Sequence, residues 1–179
     1  MEISKQDDVE QQHALYELIA KTNEALRIIH PEIMLIHKTA RDLFQSRFPE
    51  LESIVLKPVD YARVVLAIGN SERVDNLNGK LGWLSSTEVM SVTVAFSASP
   101  GGRLSRQEFA DVERACMEIV FLDQQRQLLL TFLERRMHII APNTMALVGA
   151  SICAKLISAA GSITELSRTP AGNIQVLGS

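Results

Sequence analysis

Residues 104–140, LSRQEFADVERACMEIVFLDQQRQLLLTFLERRMHII, decide how the chain folds. Ser105 and Glu108 stand three apart, in the order of a capping box, where each side chain satisfies a backbone amide of the other. Leu104 and Phe109 flank them as a hydrophobic staple. Behind this start Phe109, Val112, Cys116, Ile119, Leu122, Leu129, Leu133, Met137 and Ile140 recur at helical spacing, with Arg126 as an interruption. At ~1.5 Å per residue this predicts a rod of roughly 54 Å. A rod of that length in a chain of 179 residues needs a helical companion, part of it projecting as a stalk.

The companion lies upstream. Leu15, Ile19, Thr22, Leu26, Ile29, Ile33, Ile36, Ala40 and Leu43 alternate spacings of four and three, a heptad-like seam that buries one stripe against a partner helix. Pro31 falls inside the seam and lacks an amide proton, so a kink or restart is expected there. Arg47-Phe48-Pro49 ends this helix, since proline disfavours the helical conformation of its predecessor. A helical turn is predicted over Glu50–Val55. A helix follows from Pro58, with Gly69-Asn70-Ser71 as its stop. Residues 71–82 are polar and read as a tip or exposed loop.

In residues 89–98, Val92, Val94 and Phe96 alternate as in a strand. No partner strand offers itself, so a buried helix is expected. Ser99-Pro100-Gly101-Gly102 reads as a turn. After the rod, Ile140-Ala141-Pro142-Asn143 is a break. One helix rich in small residues is predicted over Thr144–Ala160, a short helix over Ser162–Ser167, and a loop over Thr169–Asn173. The fold class expected is all-α.

Composition narrows the classes. Apolar residues are 46% and charged residues 22%, with only 9 Gly and 6 Pro, which excludes a disordered or collagen-like chain. No apolar run reaches the ~18 residues of a membrane span, so no membrane partner is expected. The first ten residues are polar and acidic, unlike a signal peptide. Cys116 and Cys153 are isolated, fit a reducing compartment, and are expected in the core. From Arg135 onward Arg135, Arg136, Lys155 and Arg168 face one acid, Glu165, in a chain of net charge −3. So few charges read first as chance; the sharper reading places any anion or nucleic-acid contact at that end.

No catalytic constellation is present in the sequence. There is no phosphate loop and no GxGxxG unit, and Gly149-Ala150-Ser151 lacks the glycine pattern of a nucleophile elbow. His13, His30, His37 and His138 are scattered, and the two cysteines are too far apart in sequence for a zinc pair. His37 and Lys38 read as a helix-surface pair. No enzyme activity, cofactor or metal is expected.

Several short stretches follow in one order. They are Ile36-His37-Lys38 with Arg41-Asp42, then Arg47-Phe48-Pro49-Glu50-Leu51-Glu52-Ser53, Asp60-Tyr61, Gly69-Asn70-Ser71 and Ser91-Val92-Thr93. Glu134, Arg136-Met137, Ile140-Ala141-Pro142-Asn143, Gly149-Ala150-Ser151, Ala154-Lys155, Leu166-Ser167, Pro170-Ala171, Asn173-Ile174 and Leu177-Gly178 complete the series. Together they resemble the Nop-domain family in its spliceosomal branch, from about Ile33 to Gly178.

The resemblance implies a coiled-coil stalk with tip helices over residues 1–135 and the N-terminal part of a truncated Nop domain over 136–179. It implies a nuclear module that binds RNA and protein together and catalyses nothing. Such a module recognises the composite surface of a kink-turn RNA and its small ribosomal-protein-like binder. In the spliceosomal branch the RNA is the 5′ stem-loop of U4 small nuclear RNA, and a U5 particle protein is a further partner as U4/U6 joins U5. Carried over by motif, Arg168, Gly172, Asn173 and Lys155 would bind RNA. Gly149, Ala150, Ser151 and Lys155 would form the protein-partner surface. Gly172 stands where the branch carries a larger residue. Two other readings stay open: a nucleolar box C/D component, and a helical protein–protein adaptor without RNA.

Overall fold

The computed structural model describes residues 3–71, 77–99 and 101–177. Among these residues there are ten helices and no strand. The long helices are α1 (Ile3–Phe44) and α6 (Arg106–Ile140). Between them lie α2 (Leu51–Ile54), α3 (Pro58–Ile68), α4 (Leu77–Lys80) and α5 (Ser86–Ala98). After them come α7 (Pro142–Val148), α8 (Ala150–Ala160), α9 (Ile163–Arg168) and α10 (Ala171–Ile174). Residues 72–76 of the expected tip loop, Pro100 of the expected turn, and Gly178 lie outside the described residues. Packing sorts the chain into two compact units, Ile29–Gln124 and Met1–Ile28 with Gln125–Ser179.

In the unit Ile29–Gln124 the core gathers Ile33, Ala40 and Phe44 of α1, Tyr61, Val64 and Val65 of α3, Val92 and Phe96 of α5, and Val112, Cys116 and Ile119 of α6. The restart expected at Pro31 is not there: α1 is helical without a break. Pro31 faces solvent, whereas Ile29 and Ile33 are held in the core, so anchoring on one face outweighs a missing bond on the other. The seam also rotates. Leu43, its expected last member, is 37% exposed and Phe44 is fully buried instead. A straight helix drifts about 20° per heptad against a strict seven-residue repeat, and over the seam that approaches one residue position.

The ambiguous segment is the helix α5, opened by a capping box not foreseen in the sequence. Ser85 Oγ accepts from the Glu88 amide at 3.3 Å, and Glu88 Oε2 accepts from the Ser85 amide at 2.9 Å. The box expected at α6 forms as well: the Glu108 amide donates to Ser105 Oγ at 3.2 Å, and the Ser105 amide to Glu108 Oε2 at 2.9 Å. Leu104 is buried beside it, and Asn70 grips its backbone twice, at 2.8 and 3.0 Å. Arg47 is buried as well. Its guanidinium donates to the carbonyls of Gly101 at 2.9 Å and Ser71 at 2.7 Å, and lies 5.1 Å from the Phe96 ring centroid. It ties the end of α1 to two connecting segments.

The other unit has its own core of Ile19 from α1, Leu133 and Met137 from α6, Ala141, Cys153, Ala154 and Ile157 of α8, and Leu166 of α9. Asn23 Nδ2 donates to Ser158 Oγ at 2.8 Å, linking α1 to α8. The single helix expected over Thr144–Ala160 is two helices. Helix α7 begins with Pro142 in its first turn, and Gly149 at φ +81° both ends it and opens α8. That conformation costs other residues a Cβ clash, so glycine fixes the break, and the axes bend by 120° across it. The loop expected over Thr169–Asn173 is shorter, because α10 takes up Ala171–Ile174.

Candidate functional site

The residues singled out in the sequence fall on α7–α10. In α8 the buried Cys153, Ala154 and Ile157 share one side, which turns Lys155 outward to solvent. Gly161 at φ +91° closes α8. Ser162 then caps α9, its hydroxyl accepting from the Glu165 amide at 3.1 Å. Leu166 anchors α9 in the core, so Arg168, two residues on, faces out with its side chain 72% exposed. Its guanidinium pairs with Glu165 at 3.3 Å. Thr169 Oγ1 donates to the Glu165 carbonyl at 2.9 Å and fixes the exit of α9. Pro170 starts α10, on which Gly172 and Asn173 are exposed. A Cβ at Gly172 would meet nothing within 4 Å. Arg168 is thus exposed at the end of α9, and Gly172 and Asn173 are exposed on the next helix, α10.

Gly149, Ala150 and Ser151 come together elsewhere. With Val148 and Ile152 they form one wall of a cleft of about 370 Å³, whose other wall is Gln127, Leu130, Thr131 and Glu134 of α6. Lys155 does not line it. No side chain caps the start of α8, which leaves amide donors and the positive end of the helix dipole for an external acceptor. Around the cleft Leu147 is 85% exposed and Ile152 53%. Sequence reading missed these two, because an apolar run such as Met145–Val148 looks like core. It also missed that the exposed Arg136 lies over the Phe132 ring at 5.4 Å from its centroid.

The cysteines are core residues, as expected; burial raises both thiols, Cys116 to about 12. Among the described residues no three His, Cys, Asp or Glu side chains gather as metal ligands, and no single helix is long and apolar enough to cross a membrane.

Two helical cores, with no strand among the described residues, define an all-α protein that exposes cations and apolar side chains on α7–α9. A family model described as "Nop: snoRNA binding domain, fibrillarin" matches residues 25–179. The chain belongs to the Nop-domain family. It is 37% identical to the U4/U6 small nuclear ribonucleoprotein Prp31 of Xenopus laevis over 164 residues, 91% of this chain and 33% of that protein. Identity to the Homo sapiens protein of the same name is 38% over 164 residues, with the same coverage. Nucleolar protein 58 of Aspergillus terreus is 35% identical over 139 residues, 77% of this chain and 24% of that protein. The chain spans about a third of the length of the first two relatives.

Proposed function

We propose that this chain is the RNA–protein bridging module of a nuclear pre-mRNA splicing factor. It binds the 5′ stem-loop of U4 small nuclear RNA together with the small kink-turn-binding protein already on that RNA, and supports the joining of U4/U6 with the U5 particle. The observation that carries this reading is the 37–38% identity to U4/U6 small nuclear ribonucleoproteins, sustained over 91% of this chain. In this reading residues 1–135 are the stalk and tip, and residues 136–179 the first part of the Nop module.

Two interfaces share the work. The α9–α10 turn presents Arg168, Gly172 and Asn173 to the RNA, and Arg168 makes a phosphate contact that positions without reading sequence. The cleft at Gly149-Ala150-Ser151, with its uncapped helix start and exposed Leu147, receives the protein partner. Lys155 lies on the exposed side of α8 and serves the RNA or the partner at their junction.

Gel shifts with RNA alone and with the preformed RNA–protein complex test this. The free RNA binds poorly, because four cations are a thin electrostatic footprint, and the complex binds tightly. Arg168→Ala weakens binding to the complex and lowers the salt slope by about one. It leaves the thermal midpoint unchanged, since an exposed ion pair contributes little. Equal affinity for the free RNA and the complex overturns the composite-surface reading. The similarity to Nucleolar protein 58 favours a second reading, a box C/D component of the nucleolus. Preference for a box C/D kink-turn in the same assay would select it. Binding to the protein alone, indifferent to RNA, would mark a helical adaptor.

A further inference from the structure

Two of the six prolines follow a hydroxyl side chain, in Ser99-Pro100 and Thr169-Pro170. A hydroxyl residue directly before proline is the pair that proline-directed protein kinases read, and they read it in extended backbone. The structure separates the two pairs. Ser99 Oγ is buried without a hydrogen-bond partner and is closed to an enzyme. Thr169 stands at the end of α9 in extended conformation, φ −72° and ψ 126°, and Pro170 continues it at φ −58° and ψ 144°. A following proline favours that conformation. Ser167 and Arg168 before Thr169, and Pro170 to Asn173 after it, are exposed. Thr169 itself is half-buried, and its side-chain hydrogen bond lies at the surface. Leu166 is the one buried residue between Ser158 and Leu177. Helices α9 and α10 have only 6 and 4 residues. The segment therefore opens by releasing one apolar anchor and a few exposed hydrogen bonds.

The hydroxyl of Thr169 closes the last turn of α9. Thr169 Oγ1 donates to the Glu165 carbonyl at 2.9 Å, and the Thr169 amide donates to the Leu166 carbonyl at 3.2 Å. A phosphate ester at Oγ1 has no such proton to donate and sets an anion against the negative end of the helix. The preceding residue is Arg168, whose side chain is 72% exposed and pairs with the single charge of Glu165 at 3.3 Å. A phosphate carries a charge of about −1.5 to −2 near neutral pH and three strong acceptor oxygens, so it outcompetes one exposed carboxylate for that guanidinium.

We propose that Thr169 is the phosphorylation site of a proline-directed protein kinase, and that a phosphate there withdraws Arg168 from RNA. In the transfer Thr169 Oγ1 attacks the γ-phosphorus of ATP. The Oγ1–P bond forms, the bond from that phosphorus to the β-phosphate oxygen breaks, and ADP leaves. The hydroxyl proton passes to the carboxylate base of the kinase. The modification stands on the geometry of Thr169 alone, whereas its effect on RNA rests on the bridging reading above.

The chain is treated with a cyclin-dependent kinase and MgATP and read by intact mass and peptide fragmentation. One phosphoryl group at Thr169 is expected, with none at Ser99 and none on Thr169→Val. Phosphorus NMR then follows the second ionisation of the phosphate, ordinarily near pH ~6. It is displaced downward in the parent and returns towards the ordinary value in Arg168→Ala. In gel shifts with the preformed RNA–protein complex, phosphorylation weakens the parent by about tenfold. It weakens Arg168→Ala much less, since that contact is already gone. Circular dichroism verifies that both variants stay folded. The proposal is overturned by a kinase reaction that leaves Thr169 unmodified or by a phosphate titration that Arg168→Ala leaves in place. It is also overturned by a phosphorylated chain that binds the complex as tightly as the unmodified one. If the unmodified chain does not bind the complex, the bridging reading falls and the effect on RNA with it. The mass and NMR measurements then still decide the site.

Discussion

The imidazole of His37 stands edge-on to the Tyr61 ring, with centroids 5.0 Å apart, and its buried Nε2 has no hydrogen-bond partner. Burial foremost, and then the Arg41 charge, hold its pKa below 6.5, with Glu52 opposing. The unfolded chain therefore takes up this proton more readily than the folded one. The stability that neutral His37 contributes is fully present above about pH 6.5 and is lost as pH falls through the folded value. Urea midpoints should fall on mild acidification, and His37→Gln should flatten that part of the profile. Parallel profiles for parent and variant would exclude His37 as the source. The capping carboxylates Glu88 and Glu108 are lowered by hydrogen bonds from Ser85 and Ser105, so their contribution is lost in a separate window below 4.5. Gly101 makes the closest approach: a Cβ there would lie 1.8 Å from the Arg47 carbonyl oxygen. Gly101→Ala should cost about 1–3 kcal/mol in urea unfolding. Gly102→Ala should cost little, because nothing lies within 4 Å. Neither the buried Arg47 nor the half-buried His37 is legible in the sequence. An arginine beside a helix-ending proline, and a histidine beside a lysine, read as surface until the chain brings Phe96 and Tyr61 over them.

Local rules carry most of the elements. The capping box at Ser105 was readable, and the one at Ser85-Ser86-Thr87-Glu88 has the same signature, masked by the strand-like alternation that follows it. The break at Gly149 was hidden because α7 and α8 are equally apolar and small; only the positive φ separates them. For the candidate site the exposure of Arg168 at the end of α9, and of Gly172 and Asn173 on α10, follows from Ser162, Leu166 and Pro170, all visible in the sequence. The cleft wall on α6 is a tertiary product and was not. Ile36 packs against the core of its unit while remaining partly open. Ile36→Asp should cost roughly 2–4 kcal/mol in thermal or urea unfolding, since the carboxylate loses hydration among aliphatic side chains. Lys38→Ala, on the exposed side, should cost little. A variant Ile36→Asp that melts with the parent would remove Ile36 from the packed face of α1.

At the scale of the molecule, Ile29–Gln124 is one continuous segment, whereas the other unit is assembled from two segments separated by it. Bringing those segments together across a loop on the order of 100 residues costs about 4 kcal/mol of chain entropy beyond a constant. Once Ile29–Gln124 is folded, Ile29 and Leu122 pack on the same core, and most of that loop is already closed. Leu51 and Leu133 are fully buried in the separate cores. Leu133→Ala should therefore speed amide hydrogen exchange in α8 and leave α3 protected. Leu51→Ala should expose both, each substitution costing about 2–5 kcal/mol. Protection of α8 that survives Leu51→Ala would show that the units fold independently.

This discontinuity also sets a timetable for the growing polypeptide. The ribosome releases Ile19 and Leu26 first, whereas Leu133, Met137, Cys153 and Ile157, which enclose Ile19 and pack with Leu26, follow more than 100 residues later. At about 5–20 residues per second the early segment waits several seconds or more with its apolar stripe uncovered. A premature stop codon soon after Gln124 would thus do more than delete α7–α10. It would release a chain in which Ile29–Gln124 has its full set of core partners and the preceding segment has none, a product marked by its own bare stripe for chaperones and proteases.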